Sequence, residues 1–550
     1  MVRIERDALR ELLRGDVVDD AATRKTMSRD TSVFTRTPSL VVYPKDTADV
    51  AALVSRVRAA KKDGEDVSVT ARSAGTDMTG GPLTRSIVAV FTKYMNKVIE
   101  VGGDYAVTEP GAYYRDFEKA TLAKDLILPS FPASKNLAAM GGIVANNAGG
   151  ERTLEYGKTD RYVEELEVVL SDGSVATFKE LGLSEFEEKK SLNTFEGDIY
   201  RKMSALIIEN REVIEAARPT VSKNSAGYAL WDVFDIDRGT FNLAKLITGA
   251  QGTLALVTKM KLRLVRPQRE RAMLIVFLSD LEKLPEIVRR VLLSNPESFE
   301  SYDDHTLSLA VKFLPDMLRH MGLLRALRLA ISFLPEVNMA MVGGIPKLVL
   351  MAEFSEDTNE EALRKAKEAQ AALLDMGLTT RIARNEEAAE KYWIVRRESF
   401  SLLRKNLRGY YAAPFIDDFV VPPSSYPTFL PELNALLAEY KLVYTIAGHI
   451  GNGNFHIIPL MDLSKPETKQ IILELSPKVY NLVLKYGGTT TGEHNDGIIR
   501  TPYLRQMFGE KMVSLFEETK NIFDPLNIFN PGKKVGGTFE DIERDMLSGM

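Results

Sequence analysis

Residues 67–83 read VSVTARSAGTDMTGGPL: a β-branched strand that runs directly into a loop carrying Gly75, Gly80 and Gly81. Glycine lets the backbone adopt positive φ and approach a ligand closely. Successive N–H groups in such a turn form a concave anion site. A second block, GGIVANNAGG at 141–150, repeats the pattern and adds amide side chains. Tight turns alone would account for either loop, but two of them in one α/β region suit a cofactor that bears a pyrophosphate. The G-x-G-x-x-G spacing of a Rossmann site is absent. Gly487–Gly492 has Walker-like glycine spacing, yet Glu493 stands where the lysine is needed, so a P-loop is excluded.

Outward from the first loop, SLVVYP (39–44) predicts a strand, and the stretch after it a helix capped by Asp46 or Thr47. The region thus opens β-α-β. It continues with strands at 86–92, 97–101 and 105–111, and a hairpin over 162–178 turning at SDGS. Residues 183–222 read as helical and 243–265 as strand-rich, with a tight turn at Gly249–Thr253. Pro267 and the charged run after it predict a domain boundary. From Ala272 the pattern restarts as strand, helix, strand (348–356) and amphipathic helix (360–377), an antiparallel sheet backed by helices. Inside it lies an apolar, proline-broken segment, 305–346, studded with Arg319, Arg325 and Arg328. Helices follow at 464–486 and 504–522, and FDPLNIFNPGK (523–533) closes the folded part. Residues 1–35 read as a helical arm and a polar segment.

At 550 residues the chain holds more than one domain or one multi-lobed unit. A net charge of -5 gives no reason to expect nucleic acid as partner. The absence of cysteine excludes disulfides, thiolate metal sites, catalytic thiols and cysteine-ligated clusters on these residues. The charged N-terminus lacks the apolar core of a secretory signal, and no apolar run reaches the ~20 residues of a membrane span. The expectation is a cytoplasmic protein, with a peripheral place on the inner face of the membrane allowed.

Three of the five histidines, His449, His456 and His494, fall in AGHIGNGNFHIIP (447–459) and TTTGEHNDGIIR (489–500), and Glu493 adjoins the third. Two imidazoles and a carboxylate with open positions suit Zn²⁺, Mn²⁺ or Fe²⁺. Structural histidines in polar turns are the alternative for each taken singly.

The chain resembles the FAD-linked D-2-hydroxyacid dehydrogenases (D-lactate, glycolate and D-2-hydroxyglutarate dehydrogenases) of the vanillyl-alcohol oxidase / p-cresol methylhydroxylase flavoproteins. The matching pieces run in order from about residue 39 to 534: PSLVVYPKDTADV, ARSAGTDMTGG, TEPG, MGGIVANNAGGERTLEYGKTDRYV, LITGAQGTLALVT, GHIGNGNFH, TGEHNDG and FDPLNIFNPGK. The resemblance implies an α+β architecture: a two-lobed FAD domain of the p-cresol methylhydroxylase type (36–265), an antiparallel-sheet cap with the metal site (266–500), and C-terminal helices (501–550) packing back on the FAD domain. FAD, held non-covalently, would be bound by Arg72, Ser73, Ala74, Gly75, Thr76, Asp77, Thr79, Gly80 and Gly81 at its pyrophosphate. It would be lined by Pro132, Met140, Gly141, Gly142, Ala145, Asn146, Asn147, Gly149, Gly150, Tyr156, Gly157, Gly252, Thr253 and Asn530. His449, His456 and Glu493 would bind the metal and Arg396 the substrate carboxylate. His494 would take the hydroxyl proton, kept neutral by the neighbouring metal, as hydride passes to flavin N5.

Four positions depart from the family. Gln251 and Ala255 stand for glutamate and glycine. Ile416 lies near a lysine of some relatives. Asn495 replaces the glycine after His494 and is expected to reshape the pocket. Some relatives carry a fused iron–sulfur region; here electrons would pass to a separate iron–sulfur subunit, quinone, electron-transfer flavoprotein or cytochrome. Segment 305–346 is a candidate for docking to it or to the membrane, and a homodimer is allowed. A non-redox flavin transferase like the alkyl-dihydroxyacetonephosphate synthases, and a redox-inactive subunit of a larger complex, are the competing functions.

Overall fold

A computed structural model describes residues 6–304, 306, 345–406 and 409–547. Its first sheet is built from β1 (Asp16–Val18), β2 (Leu40–Tyr43), β3 (Val69–Arg72) and β4 (Ile87–Val90), in the order β1-β2-β4-β3. β2 and β3 both run parallel to β4, as a β-α-β opening requires. The helix between them, Thr47–Lys62, is capped by Asp46, which accepts from the Asp49 N–H at 3.1 Å. Its Val50, Leu53, Val54 and Val57 form one buried stripe. The first 35 residues are more than a helical arm. Between helices Arg6–Leu12 and Ala21–Met27, β1 adds an antiparallel edge to β2 with Val17 buried opposite Val42.

The second sheet is antiparallel. It comprises β5 (Val98–Val101), β6 (Tyr105–Thr108), β7 (Val163–Val169), β8 (Val175–Gly182), β9 (Phe234–Asp235), β10 (Thr240–Asn242) and β11 (Leu256–Arg263), in the order β5-β6-β11-β7-β8-β10-β9. The stretch 243–265 is only half strand. Asn242 caps a helix, Leu243–Ile247, by accepting from the Ala244 N–H at 2.9 Å, and the apolar residues that read as strand bury as a helical turn.

The third sheet uses β12 (Glu270–Leu278), β13 (Ser298–Asp303), β14 (Leu348–Glu356), β15 (Thr379–Ala383), β16 (Tyr411–Ala412), β17 (Phe419–Val420), β18 (Val443–His449) and β19 (Asn454–Met461). Its path is β15-β12-β14-β13-β18-β19-β16, with β17 also on β19, and every pairing is antiparallel. Strand alternation gives it two buried faces. Leu274, Val276 and Leu350 pack on helices Leu284–Leu292 and Asn359–Ala371, while Met273, Ile275 and Met351 pack on Tyr392 and Trp393 of helix Glu386–Asn406.

The end of the chain returns to the first sheet. Val69 donates to the Ile528 carbonyl at 2.8 Å and Asn530 to the Val69 carbonyl at 3.0 Å. The folded part does not stop at residue 533. Thr538 caps a further helix, Phe539–Asp545, and the buried Asp545 carboxylate accepts from Arg36 at 2.6 Å and pairs with Arg85. Apart from 306, 345 and 346, the segment 305–346 lies outside the described residues. No helix among the described residues is long and apolar enough to cross a membrane.

The Asp545 clamp sets a stability prediction. Burial works against its charge, but Arg544, Arg85 and Arg36 hold its pKa down at about 2. This lies below the ~3.9 of an unfolded aspartate, so the clamp's contribution is full above about pH 4 and fades as pH falls toward 2. Asp545→Ala, which leaves Arg36 with Asp541 as its carboxylate partner at 3.2 Å, is expected to cost about 1.5–3 kcal/mol at pH 7. Denaturant unfolding of both proteins measures it, and the gap between them should narrow at pH 3.

Candidate active site

The loop after β3 is organised from inside. The Asp77 carboxylate accepts from the N–H groups of Thr79 (2.9 Å) and Gly81 (2.8 Å) and from the Thr79 hydroxyl (2.7 Å), and Asp30 accepts from Gly80 N–H at 3.1 Å. The N–H groups of Gly75, Thr76 and Asp77 have no partner among the described residues. Arg72 packs its guanidinium against Gly75, where a Cβ would come within 2.6 Å of Cζ, and donates to the Arg29 carbonyl at 2.7 Å, fastening the loop to the N-terminal arm.

The second glycine block faces this loop. Gly141 is pressed on Pro110 and Ser73, where a Cβ would come within 2.6 Å of each. Gly142 and Gly252 instead look onto open space: a Cβ would meet only Ser73 at 3.9 Å and only Ala71 at 3.6 Å. Room left by glycine, together with unpartnered N–H groups, fits a pyrophosphate-bearing cofactor such as FAD. Met140 belongs to the hydrophobic core, and the Thr253 hydroxyl is spent on the Ala250 carbonyl (2.7 Å) and Tyr228 (2.6 Å). Gly150 lies beneath Phe131 and Pro132, and Gly157, at φ 75°, ends the helix Thr153–Tyr156.

Amides join the loops. Asn146 donates to Asp77 at 3.0 Å, Gln251 to Asn146 at 3.2 Å, and Asn530 to the carbonyls of Gly81 (3.0 Å) and Gln251 (2.8 Å). Gln251 also accepts from the Gly497 N–H at 2.9 Å. Asn495 does not line the histidine pocket; its side chain donates to the Gly249 carbonyl at 2.8 Å, and Asp496 accepts from Gly227 at 2.9 Å and pairs with Lys534 at 3.0 Å. Both residues are joints between the histidine segment and the glycine loops.

The histidines meet because β18 and β19 form a hairpin in which Ala447 faces His456 and His449 faces Asn454. Alternation puts both imidazoles on one face. The turn closes at Gly453, φ 75°, where any Cβ would strike the Val421 carbonyl. His449 and His456 lie 5.2 Å apart between ring centroids, and His494 stacks on His456 at 5.1 Å. Ligand atoms of His449, His456 and Glu493 fall within 4.8 Å of one another, as do those of Asp417, His456 and His494. His449 Nε2 is 3.1 Å from Glu493. The nitrogen and oxygen donors of His449, His456 and Glu493 suit a divalent ion. Their backing carboxylates fit as well: Glu300 takes Nδ1 of His449 at 2.8 Å and Asp417 takes Nδ1 of His456 at 3.0 Å.

Sequence reading missed four charged residues here. Ile416 packs in the hydrophobic core; the residue that faces the histidines is Asp417, which also takes Nδ1 of His494 at 2.7 Å. Asp418, at φ 71°, accepts from the N–H groups of Glu493 (2.9 Å) and His494 (2.7 Å) and from Thr491 (2.5 Å). Lys223, fully buried, pairs with Glu493, and Glu300 joins His449 to Arg396. A row of alternating charge results: Lys223, Glu493, His449, Glu300, Arg396. Arg396 is thus already paired through one nitrogen, while its buried Nε has no hydrogen-bond partner among the described residues. A pair of acids in FIDDF was the available signal.

The charges shape protonation. Burial opposes a charge on Glu493, but Lys223 and His449 hold its carboxyl well below the usual range. Burial likewise opposes a charge on His494, yet Asp418 and Asp417 outweigh it and push its pKa up to about 9. The chain's own groups by themselves therefore favour a charged His494. Gly149 ties the two halves together: its Cβ position lies 2.8 Å from Thr153 and 3.5 Å from Glu493.

Among solved structures, p-cresol methylhydroxylase with substrate bound matches 97% of this chain and 96% of its own, with a TM-score of 0.67 at 17% identity. The fold is that of the p-cresol methylhydroxylase-type flavoproteins. Residues 38–179 match the FAD binding domain, and residues 267–534 match the C-terminal domain of the FAD linked oxidases. The chain belongs to the FAD-linked oxidases. It is 28% identical to D-2-hydroxyglutarate dehydrogenase of Escherichia coli K12 over 94% of its length, and spans about half (50%) of that relative. It is 25% identical to D-lactate dehydrogenase of Anaerostipes hadrus, covering 96% of this chain and 95% of the other.

Asp77→Ala frees two N–H groups and removes the acceptor that shapes the loop. Losing charge-assisted bonds of about 1.5–3 kcal/mol should weaken flavin binding roughly tenfold or more. Flavin-to-protein absorbance after gel filtration reads it; unchanged flavin content would show that the loop is organised without Asp77.

Proposed function

We propose that the chain is a flavin-dependent dehydrogenase that oxidises a D-2-hydroxy acid of the lactate, glycolate or 2-hydroxyglutarate class to the 2-oxo acid. The carrying observation is that the open side of Gly149, in the glycine block, faces Glu493, in the histidine cluster, whose Cγ and Oε1 lie 3.5 Å from where a Cβ would stand. It makes a flavin cradle and an acid–base site neighbours. The names of the relatives support the substrate class. FAD would be held non-covalently, since neither glycine block contains histidine or cysteine.

When bound, FAD supplies a hydride acceptor, and a divalent ion on His449, His456 and Glu493 supplies Lewis acidity toward the substrate hydroxyl. The chain does the rest. Glu300 and Asp417 occupy the Nδ1 side of His449 and His456, leaving Nε2 of each as the ligating atom. The unpartnered Nε of Arg396 receives the substrate carboxylate while Glu300 holds another nitrogen of the fork. His494, its Nδ1 on Asp417, accepts the hydroxyl proton at Nε2. Positive charge beside Glu493 opposes Asp417 and Asp418 and lowers the pKa of His494 toward neutrality. These 550 residues hold no cysteine and therefore no cysteine-ligated cluster, so the reduced flavin is reoxidised by an acceptor outside them: an iron–sulfur centre, a quinone, an electron-transfer flavoprotein or a cytochrome.

Anaerobic mixing of the purified yellow protein with D-lactate, glycolate or D-2-hydroxyglutarate, with Zn²⁺, Mn²⁺ or Fe²⁺ supplied, should bleach the flavin. His494→Gln should slow bleaching by about 10²–10⁴-fold with flavin content unchanged. If no 2-hydroxy acid bleaches the flavin under any of the three metals, the dehydrogenase reading is wrong.

A further inference from the structure

We infer that Asp417 is a positioning residue that fixes the tautomer of two imidazoles at once, His456 and His494, and so ties metal binding to proton transfer. The inference rests on the roles just proposed for those two rings. Its geometric basis is independent of them.

One carboxylate serves both rings. Asp417 Oδ1 lies 3.0 Å from Nδ1 of His456, and Oδ2 lies 2.7 Å from Nδ1 of His494. The rings stack at 5.1 Å with 24° between their planes, so each presents the same edge to Asp417 and the opposite edge, Nε2, away from it. An ionised carboxylate only accepts hydrogen bonds. Both Nδ1 atoms must then carry a proton, and both Nε2 atoms are left to ligate or to receive one. His449 is treated separately, by Glu300.

Asp417 has little freedom to do anything else. Its side chain is fully buried, and its carbonyl accepts from the buried Arg500 at 2.6 Å. Arg500 also donates to the Asn495 carbonyl at 3.1 Å, bracing the segment that carries His494 against the one that carries Asp417. The neighbouring Asp418 holds the backbone of Glu493 and His494. Asp418 therefore places the segment, and Asp417 sets the rings.

The consequence is chemical. An asparagine at 417 offers one acceptor and one donor in place of two acceptors. One ring keeps its Nδ1 proton; the other must accept from the amide and move its proton to Nε2. If His456 changes, a ligating atom is lost, and metal affinity falls by about 10–100-fold. If His494 changes, the proton acceptor is lost while affinity stays.

The test is [¹⁵N]histidine NMR on the full-length, flavin-containing, Zn²⁺-supplied protein, in which five histidines keep the spectrum readable and single His→Gln variants assign it. Wild type should show a protonated Nδ1 on both His456 and His494. Asp417→Asn should show it on one of them only, and Asp417→Glu, which restores two acceptors, on both. Flavin content reports whether each variant is folded; if Asp417→Asn fails that check, the wild-type and Asp417→Glu spectra decide. An unprotonated Nδ1 on either ring in wild type overturns the inference, as does an Asp417→Asn spectrum with both Nδ1 protons retained. Co²⁺ titration by absorbance then distinguishes which ring changed. Failure of hydroxy acids to reduce the flavin would defeat the dehydrogenase reading alone, because the Nδ1 protons are read without substrate.

Discussion

Two adjacent carboxylates, Asp417 and Asp418, hold the candidate site together. Asp418 takes a left-handed backbone conformation, unfavourable for a residue with a side chain, and its carboxylate gathers the N–H groups of Glu493 and His494 and the Thr491 hydroxyl. Strain of this kind persists only where the surroundings over-determine it. Here a strand pairing on one side, β17 with β19, and the buried Arg500 on the other leave no alternative path for the chain. A candidate ligand carboxylate that lies more than thirty residues past the end of β19 at Met461 is thereby fixed against a hairpin. Asp418, together with Lys223, turns Glu493 toward His449 and His456.

The candidate site lies where the glycine loops, the third sheet and the segment 489–500 touch. The glycine loops belong to the first sheet and its neighbours, the histidine hairpin to the third sheet, and the segment 489–500 bridges them through Asn495, Asp496 and Gln251. Polar side chains at such a junction are expensive to bury unpaired. The alternating row from Lys223 to Arg396 shows how the cost is offset: each charge has an opposite neighbour, and the row crosses from the cradle side to the helix over the third sheet.

Much of this was legible in the sequence because the signals were local. A strand that runs into glycines, and two histidines seven apart around a Gly-Asn-Gly turn, state their geometry in a few residues. The antiparallel third sheet followed from periodicity, and the α+β class from the resemblance that the motifs carry. What failed was non-local. Leu243–Ile247 read as strand because apolar runs do not distinguish strand from buried helix; the cap at Asn242 decided it. Val17 entered a sheet only because β2 offered an open edge. Asp417, Glu300 and Lys223 lie in ordinary-looking segments, and nothing in their spacing announces the histidines they meet. Asn495 was noticed for its size, yet the direction of its side chain is set by carbonyls at 146 and 249. Arg72 was read by its place in the loop, and its bond to the arm's carbonyl at Arg29 was not legible there.

The strand pairing of Val69 with residues 528–530 has a kinetic side. β3 and the loop that follows it are among the first parts of the chain to be synthesised, but their outer edge and the Asn530 amide that joins Gly81 to Gln251 arrive more than four hundred residues later. Contacts of such separation form late and slowly. On a ribosome the early α/β unit must wait, its edge strand open, through the synthesis of the whole third sheet. The latch between the Gly81 loop and the Gln251 turn is therefore completed only when residues 528–530 have arrived.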